Sequence, residues 1–241
     1  MAAGRSKEPL QIVVTGAGRG LGLEFTRQWL RRGDSVAALV RAPEDSAGLK
    51  ALGRDFPKTL LVAACDVARD DSVTSAHRAI GESWDRVDIL VNNAGIYGRR
   101  DVSLMTLDEP DIYRVFEVNT LGPLRVCRAF LPLLQKGRVP RLVQITSLMG
   151  SIDDNGSGGS WAYRISKTAL NMASRNVAHE VGPKGMIAVL LHPGWVRTDM
   201  GGELAPLAVE EAIRDLIGTV DGLKKSHNGG FFDRHGKPMP W

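Results

Sequence analysis

The sequence of 241 residues has few cysteines and no spacing typical of a metal site. Cys65 and Cys127 lie outside any Cys-x-x-Cys pattern, so we expect two buried, reduced thiols rather than a disulfide. The five histidines show no ligand pairing, and we expect neither a structural nor a catalytic metal. His192 precedes Pro193 at a predicted strand end, where a packed or hydrogen-bonded imidazole is favoured over a catalytic one.

The chain also lacks an apolar run that approaches the roughly 20 residues of a membrane span. Its N-terminal residues include Arg5, Lys7 and Glu8, which make them too polar for a secretory signal. The net charge is +4, but the basic residues are scattered among 27 acidic ones without a basic run, which argues against a nucleic-acid partner. We therefore expect a cytoplasmic protein without a membrane span, in which residues 1–8 are flexible.

No linker or low-complexity tract divides the chain, and 43% hydrophobic content can fill the two faces of one sheet. Apolar strand segments alternate with helical patterns near residues 70–84, 111–135, 160–181 and 209–219. The sixth strand is predicted at residues 187–191 and the last near Phe231. The alternation predicts an α/β fold: a single Rossmann-like, doubly wound domain over residues 1–241, with a seven-stranded parallel sheet and helices on both faces.

A glycine-rich segment follows the first predicted strand and opens a helical pattern. The apolar residues 11–15 run directly into Gly16-Ala17-Gly18-Arg19-Gly20-Leu21-Gly22. Glycines at such a turn let the backbone approach a pyrophosphate, whose charge the helix N-terminus attracts. The spacing departs from the Gly-x-Gly-x-x-Gly of other dinucleotide folds, and an ordinary glycine-rich turn explains it equally well when it is taken alone.

Tyr163 and Lys167 are four residues apart on a predicted helix, so they share one face. An ammonium about 4 Å from a phenol would lower the pKa of the phenol by close to three units, toward 7. Together with Ser147 upstream, the pair predicts a proton-transfer site. Two residues on a solvated helix face would give the same spacing by chance.

Four further polar motifs occur in order along the chain. Asp66-Val67 follows an apolar run, and Asn92-Asn93-Ala94-Gly95 ends another. Asn119 interrupts a long helical pattern, and Ser147 stands at the carboxyl end of the strand that begins near Arg141. In an open parallel sheet this end is where ligands bind.

This ordered set of motifs resembles the short-chain dehydrogenase/reductase family, and the resemblance extends from Gln11 to the last residue. Within that family the chain is most similar to the C-factor and sniffer-like carbonyl reductases. Three stretches carry this similarity: residues 163–173, residues 191–202 and the ending from Gly230 to Trp241.

The resemblance implies hydride transfer between a nicotinamide and a carbonyl or alcohol carbon. Tyr163 would donate the proton, Ser147 would bind the substrate oxygen, and Lys167 would hold the ribose and lower the pKa of the tyrosine. Asn119 would anchor a water chain behind Lys167, and Thr198 would orient the carboxamide. The implied cofactor-binding residues are Gly16, Gly18, Arg19, Gly20, Leu21, Gly22, Arg41, Asp66, Val67, Asn92, Ala94, Gly95, Tyr163, Lys167, Pro193, Gly194, Val196 and Thr198.

The end of the second predicted strand indicates which cofactor is preferred. An NAD enzyme would carry an acidic residue there to hold the ribose hydroxyls, but this chain has Val40, followed by Arg41. Arg19 in the glycine turn can reach the same corner. Two guanidinium groups could pair with a 2′-phosphate, so we expect NADP (NADPH) to be preferred over NAD.

Apolar and aromatic residues next to the motifs predict a substrate pocket formed by Ile96, Met149, Trp161 and Trp195. Core packing explains such residues equally well. An apolar ketone, aldehyde or quinone would fit this pocket. We also expect a homodimer, or a tetramer, through the helices at 111–135 and 160–181.

Two alternatives remain open. A 3-ketoacyl thioester on an acyl carrier protein would need a basic patch, for which Arg99, Arg100 and Arg125 are candidates. The similarity to C-factor also implies a developmental signalling role in which the fold would act as a binding protein. The intact set of catalytic residues argues against a non-catalytic scaffold.

Overall fold

The computed structural model describes residues 8–241, so the expected flexibility of residues 1–8 falls, apart from Glu8, outside the described residues. Seven parallel strands form one sheet in the order β3-β2-β1-β4-β5-β6-β7, as predicted. The strands are β1 (Gln11–Thr15), β2 (Ser35–Val40), β3 (Leu60–Ala64), β4 (Ile89–Asn92), β5 (Arg141–Ile145), β6 (Ile187–His192) and β7 (Phe231–Asp233).

Helices cover both faces of the sheet. They are α1 (Gly20–Arg32), α2 (Ala47–Asp55), α3 (Asp70–Gly81), α4 (Glu109–Phe116), α5 (Gly122–Gln135), α6 (Trp161–Val181) and α7 (Val209–Asp221). α2 was not among the helices predicted from the sequence, because its nine residues give a short periodic pattern.

The helix predicted at residues 111–135 is divided in the structure. A π-helical turn, Glu117–Leu121, separates α4 from α5, and the N–H of Gly122 donates to the carbonyl of Glu117 five residues back. Pro123 explains the break, because it has no N–H to donate to the carbonyl of Asn119 four residues earlier. The backbone therefore widens by one residue at the position of Asn119.

The strands are buried on both faces, which explains their continuous apolar sequences. In β1, Ile12 and Val14 pack with α1 and α7 on one side, through residues such as Phe25 and Leu216. Val13 belongs to the core on the other side, where Phe130 of α5 packs. Alternate residues of one strand thus supply two cores.

The strand order reverses at β1, which pairs with β2 on one side and with β4 on the other. The connections from the carboxyl ends of β1 and β4 therefore diverge, which opens a crevice between them. This crevice is where the sequence motifs are expected to meet.

Both cysteines are buried and unpaired, as predicted. Burial raises the pKa of Cys65 to about 12 and that of Cys127 to about 11, so both remain protonated thiols at neutral pH. Across residues 8–241, none of the helices combines the length and the apolar character that crossing a bilayer requires.

Candidate active site

The glycine turn, residues 16–22, lies at the carboxyl end of β1 with a closely packed backbone. Gly16 and Gly20 have φ angles of +65° and +51°, a region that favours glycine. A Cβ atom on Gly22 would lie 2.2 Å from the carbonyl oxygen of Gly16. The turn therefore presents bare backbone, which a phosphate group can approach.

The first turn of α1 leaves its N–H groups available. Arg19 is the N-cap residue of α1 and makes no side-chain cap, and no acidic residue occupies the first turn. In contrast, Ser46 caps α2 and Asp108 caps α4 through their side-chain oxygens. An uncapped helix N-terminus after a glycine turn fits the pyrophosphate of a dinucleotide.

Hydrogen bonds join the glycine turn to the turn that follows β4. The side-chain amide of Asn93 donates to the carbonyl oxygens of Thr15 (3.0 Å) and Gly16 (3.2 Å). The Thr15 hydroxyl accepts from the backbone N–H groups of Asn93 and Ala94. The sequence analysis did not assign this bracing role to Asn93, whose amide side chain after a strand was the available signal.

The Asn92 side chain packs against α5. Its amide nitrogen lies 3.3 Å from the Sγ atom of Cys127 and 3.4 Å from the carbonyl oxygen of Pro123, and the residue is buried. If Asn92 contributes to cofactor binding, as the resemblance implies, it does so through its backbone.

The corner of the crevice that is expected to hold the ribose and adenine lies beyond the glycine turn. A Cβ atom on Gly18 would lie 3.4 Å from Val40 and 3.6 Å from the hydroxyl of Ser46, which itself donates to the Gly18 carbonyl. Asp66 is half-buried and accepts from the N–H of Ala68, while Val67 is buried. Ser46 was missed by the sequence analysis, although a serine before an apolar helical pattern is a common N-cap signal.

The two arginines predicted to share this corner differ in their partners. Arg41 is exposed at the end of β2. Arg19, however, donates to the Asp199 carboxylate at 2.7 Å, and both side chains are exposed. We expected Arg19 to be free to bind a 2′-phosphate together with Arg41. In this structure Arg19 instead forms an ion pair with Asp199.

The carboxyl end of β5 and the start of α6 bring three predicted site residues together: Ser147, Tyr163 and Lys167. Lys167 is buried, and its Nζ atom donates to the carbonyl of Ile145 at 2.8 Å. The same Nζ atom lies 5.8 Å from the centroid of the Tyr163 ring. A Cβ atom on Gly150 would come within 2.8 Å of Lys167, so glycine lets the turn after Ser147 pack against α6.

The pKa values of these groups differ from the sequence expectation. Burial raises the pKa of Tyr163 to about 12, although a hydrogen bond with Ser147 and the charge of Arg100 act to lower it. The prediction that Lys167 brings this pKa toward 7 is wrong for this structure, because burial dominates. Burial lowers the pKa of Lys167 itself to about 8. At neutral pH the phenol is therefore protonated and the amine is largely charged.

Asn119 occupies the π-helical turn and is fully buried. Its side chain accepts from the N–H of Ile96 (2.9 Å) and donates to the carbonyl of Ile96 (2.8 Å). It also lies 3.0 Å from the hydroxyl of Ser166, and a Cβ atom on Gly95 would contact both Asn119 and Lys167. Asn119 thus holds the chain after β4 against α6, next to Lys167.

His192 supports the turn that contains Ser147. Its Nδ1 atom accepts from the backbone N–H of Leu148 at 3.3 Å. Burial lowers the pKa of His192 to about 4, although the charge of Asp233 acts to raise it, so the imidazole is neutral. The prediction of a hydrogen-bonded rather than a catalytic histidine is consistent with this contact.

The segment after β6 closes the crevice opposite the glycine turn. Pro193 is buried and Gly194 has a φ angle of +89°. Val196 forms a β-bridge with Leu207, and Leu21 of α1 packs against this pair. A Cβ atom on Gly20 would lie 3.4 Å from Thr198, so this segment and the glycine turn are in close contact.

The four predicted pocket residues are not all brought together. Met149 lies close to Tyr163, because Tyr97 contacts the Sδ atom of Met149 and stacks on Tyr163. The backbone of Ile96 is hydrogen-bonded to Asn119. Trp195 is 57% exposed and donates to the carbonyl of Gly201, within its own loop.

Trp161 is the second departure from the predicted pocket. It lines a groove on the outer side of α6 with Ile165 and Met172. Since successive residues of an α-helix turn by about 100°, Trp161 points nearly opposite to Tyr163. Tyr97, which also lies next to the motif residues in the sequence, stacks on Tyr163 with ring centroids 4.5 Å apart.

Comparisons with known proteins agree with this geometry. The family model of short chain dehydrogenases matches residues 11–207. C-signal of Myxococcus xanthus is 48% identical over 155 residues, an alignment that covers 64% of this chain and 93% of C-signal.

Two solved structures superpose over 97% of this chain and 100% of their own. They are the carbonyl reductase Sniffer of D. melanogaster, with a TM-score of 0.92 and 30% identity, and an NADPH-bound carbonyl reductase from chicken fatty liver, with a TM-score of 0.91 and 32% identity. The expected similarity to C-factor and sniffer-like reductases is confirmed. The chain belongs to the short-chain dehydrogenase family.

Proposed function

We propose that this oxidoreductase uses NADPH to reduce the carbonyl group of an apolar ketone, aldehyde or quinone. The observation that carries the proposal is the buried Tyr163 phenol, which lies beside the buried Lys167 amine and near enough to Ser147 for that hydroxyl to act on its pKa. A protonated phenol beside an ammonium is suited to donate a proton to an oxygen that gains negative charge.

NADPH, when bound, would supply a hydride to the carbonyl carbon and become NADP⁺. The Ser147 hydroxyl would donate a hydrogen bond to the carbonyl oxygen and orient it. Tyr163 would transfer its proton to that oxygen as the carbon–oxygen π bond breaks. The Lys167 ammonium would stabilise the phenolate that remains. With a pKa of about 12, the Tyr163 phenol is in its acid form at neutral pH, as a proton donor must be.

Arg41 is the residue proposed to make the protein prefer NADPH to NADH. Val40 offers no carboxylate to the ribose hydroxyls, and the exposed Arg41 can pair with a 2′-phosphate. Arg19 could add a second contact if it exchanges Asp199 for the phosphate. The NADPH and NADP bound to similar carbonyl reductases support the same choice.

The thioester alternative has less support. Arg99 pairs with Asp108 at 2.9 Å, and Arg125 pairs with Glu117. Two of the three arginines proposed for a basic docking patch are therefore neutralised. A signalling role remains a second candidate, which the 48% identity to C-signal favours.

We further propose a homodimer in the cytoplasm. Tyr113 of α4 and Met172 of α6 are 69% and 67% exposed, on the two helical regions expected to form the interface. Two unpaired thiols are compatible with a reducing compartment.

Tyr163→Phe removes the proton donor and keeps the ring. We expect kcat to fall by about 10²–10⁴-fold, the range typical of general acid catalysis. The Kd for NADPH, measured by fluorescence titration, should change by no more than a few fold. Tyr113→Phe, on an exposed tyrosine, is the matched control and should keep wild-type turnover. Turnover of Tyr163→Phe close to wild type would refute the assigned mechanism.

Lys167→Met should weaken NADPH binding and lower kcat, and it should also change the pH dependence of stability. Above pH 8 the buried amine loses its proton while an unfolded lysine keeps it up to about pH 10.5, so the folded wild type gains stability as the pH rises. Between pH 7 and 9 this gain amounts to about 1 kcal/mol relative to the variant, or a few °C in Tm.

Thermal unfolding without cofactor at these pH values measures the difference. The two thiols titrate equally in wild type and variant, so their contribution cancels. Lys136→Met, on an exposed lysine of this chain, is the control and should match wild type. Identical pH profiles for wild type and Lys167→Met would show that the amine is not buried as described.

Arg41→Ala should weaken NADPH binding by about tenfold or more, because it removes a charge-assisted hydrogen bond. The affinity for NADH should change little, since NADH has no 2′-phosphate. Arg54→Ala, on an exposed arginine of α2, serves as the control for a loss of one positive charge. Equal binding of NADH and NADPH by wild type, unaltered in Arg41→Ala, would contradict the NADP assignment.

A further inference from the structure

Three side chains form a layered stack at the catalytic tyrosine. The ring of Tyr97 stacks on the ring of Tyr163 at a centroid distance of 4.5 Å and an interplanar angle of 12°. The guanidinium carbon of Arg100 lies 4.0 Å from the centroid of the Tyr97 ring. The stack therefore places a cation two layers from the proposed proton donor.

Both upper layers are held in place. The Tyr97 hydroxyl is hydrogen-bonded with the Ser160 hydroxyl at 2.9 Å, just before α6 begins. The guanidinium of Arg100 donates to the backbone carbonyl of Met200 at 2.7 Å. Arg100 thus joins the chain after β4 to the segment after Thr198, where two walls of the crevice meet.

The charge of Arg100 is left without a counterion. Its immediate neighbour Arg99 donates to Asp108, and Arg19 on the opposite wall pairs with Asp199. Across residues 8–241, no carboxylate forms an ion pair with Arg100, whose described polar partner is the neutral carbonyl of Met200. Arg100 is exposed, so its other N–H donors face solvent and are accessible to a ligand.

We propose that Arg100 is a specificity residue that binds a carboxylate on the carbonyl substrate. The preferred substrates are then carbonyl compounds that have an apolar body and an anionic group several bonds from the reacting carbon. A guanidinium recognises a carboxylate through paired hydrogen bonds, which suits a fixed distance between the two ends of the substrate. This inference rests on the proposed function, because it names the substrate of the same site.

The test of turnover compares para-carboxybenzaldehyde with its methyl ester, which differ in one negative charge. Wild type with NADPH should show a kcat/KM about tenfold or more higher for the acid. In Arg100→Gln the ratio of acid to ester should fall close to one, mainly through KM. Arg100→Lys should retain part of the preference for the acid, since it keeps the positive charge. If Arg100 served only to bond the carbonyl of Met200, the acid-to-ester ratio would not depend on the charge at this position.

Arg99→Gln is the matched control, because Arg99 is the adjacent arginine and is already paired with Asp108. It should leave the acid-to-ester ratio at the wild-type value. A wild type that reduces both aldehydes equally well, or a preference that survives in Arg100→Gln, would overturn the inference while leaving the proposed function intact.

A binding measurement separates this inference from catalysis. Calorimetric titration of the NADPH-loaded protein with para-toluate, which has a carboxylate but no reducible carbonyl, should show saturable binding. The affinity should drop about tenfold in Arg100→Gln, and neutral para-toluamide should bind wild type and variant alike. Absence of turnover with both aldehydes would refute the proposed function, whereas equal para-toluate affinity in wild type and Arg100→Gln would refute the anion site.

Discussion

The contact between the turns that follow β1 and β4 is the constraint on which the site depends. A Cβ atom on Gly16 would lie 2.8 Å from the Cα atom of Ala94, so the two backbones touch where no side chain fits. The Asn93 amide then bonds to the carbonyls of Thr15 and Gly16. Because this contact fixes the β4 turn, Gly95 and Ile96 reach Asn119 and Lys167. The contact thereby fixes the glycine turn relative to the groups proposed to transfer the proton.

The site gathers buried polar groups at a cost in stability. Asn119, Tyr163 and Lys167 are all buried, and the amine of Lys167 has a backbone carbonyl as its described hydrogen-bond partner. Burial shifts the pKa of both titratable groups against their charged forms. A chain selected for stability alone would place apolar residues there. The retained polar set is therefore explained by chemistry rather than by packing, which is why active sites conflict with local rules of folding.

The sequence predicted the sheet well because the strands are short apolar runs with glycine or polar residues at their ends, as at Thr15 and Asn92. The four-residue spacing of Tyr163 and Lys167 also predicted that the two side chains share one face of a helix, and in α6 the Lys167 amine lies 5.8 Å from the centroid of the Tyr163 ring. Trp161 was misassigned because proximity in sequence to Tyr163 does not mean proximity on a helix. The partner of Arg19 and the stacking of Tyr97 could not be predicted, because each depends on long-range placement of a loop. The pKa of Tyr163 depends on burial, which helix spacing does not reveal.

The proposed transfer of a hydride from NADPH to a carbonyl carbon is tested most directly with NADPH that carries two deuterium atoms at C4 of the nicotinamide and an apolar aldehyde as acceptor. Mass spectrometry of the isolated alcohol should show one deuterium on the former carbonyl carbon for each NADP⁺ formed. An alcohol without deuterium, or NADPH oxidation without any alcohol product, would contradict carbonyl reduction by this site.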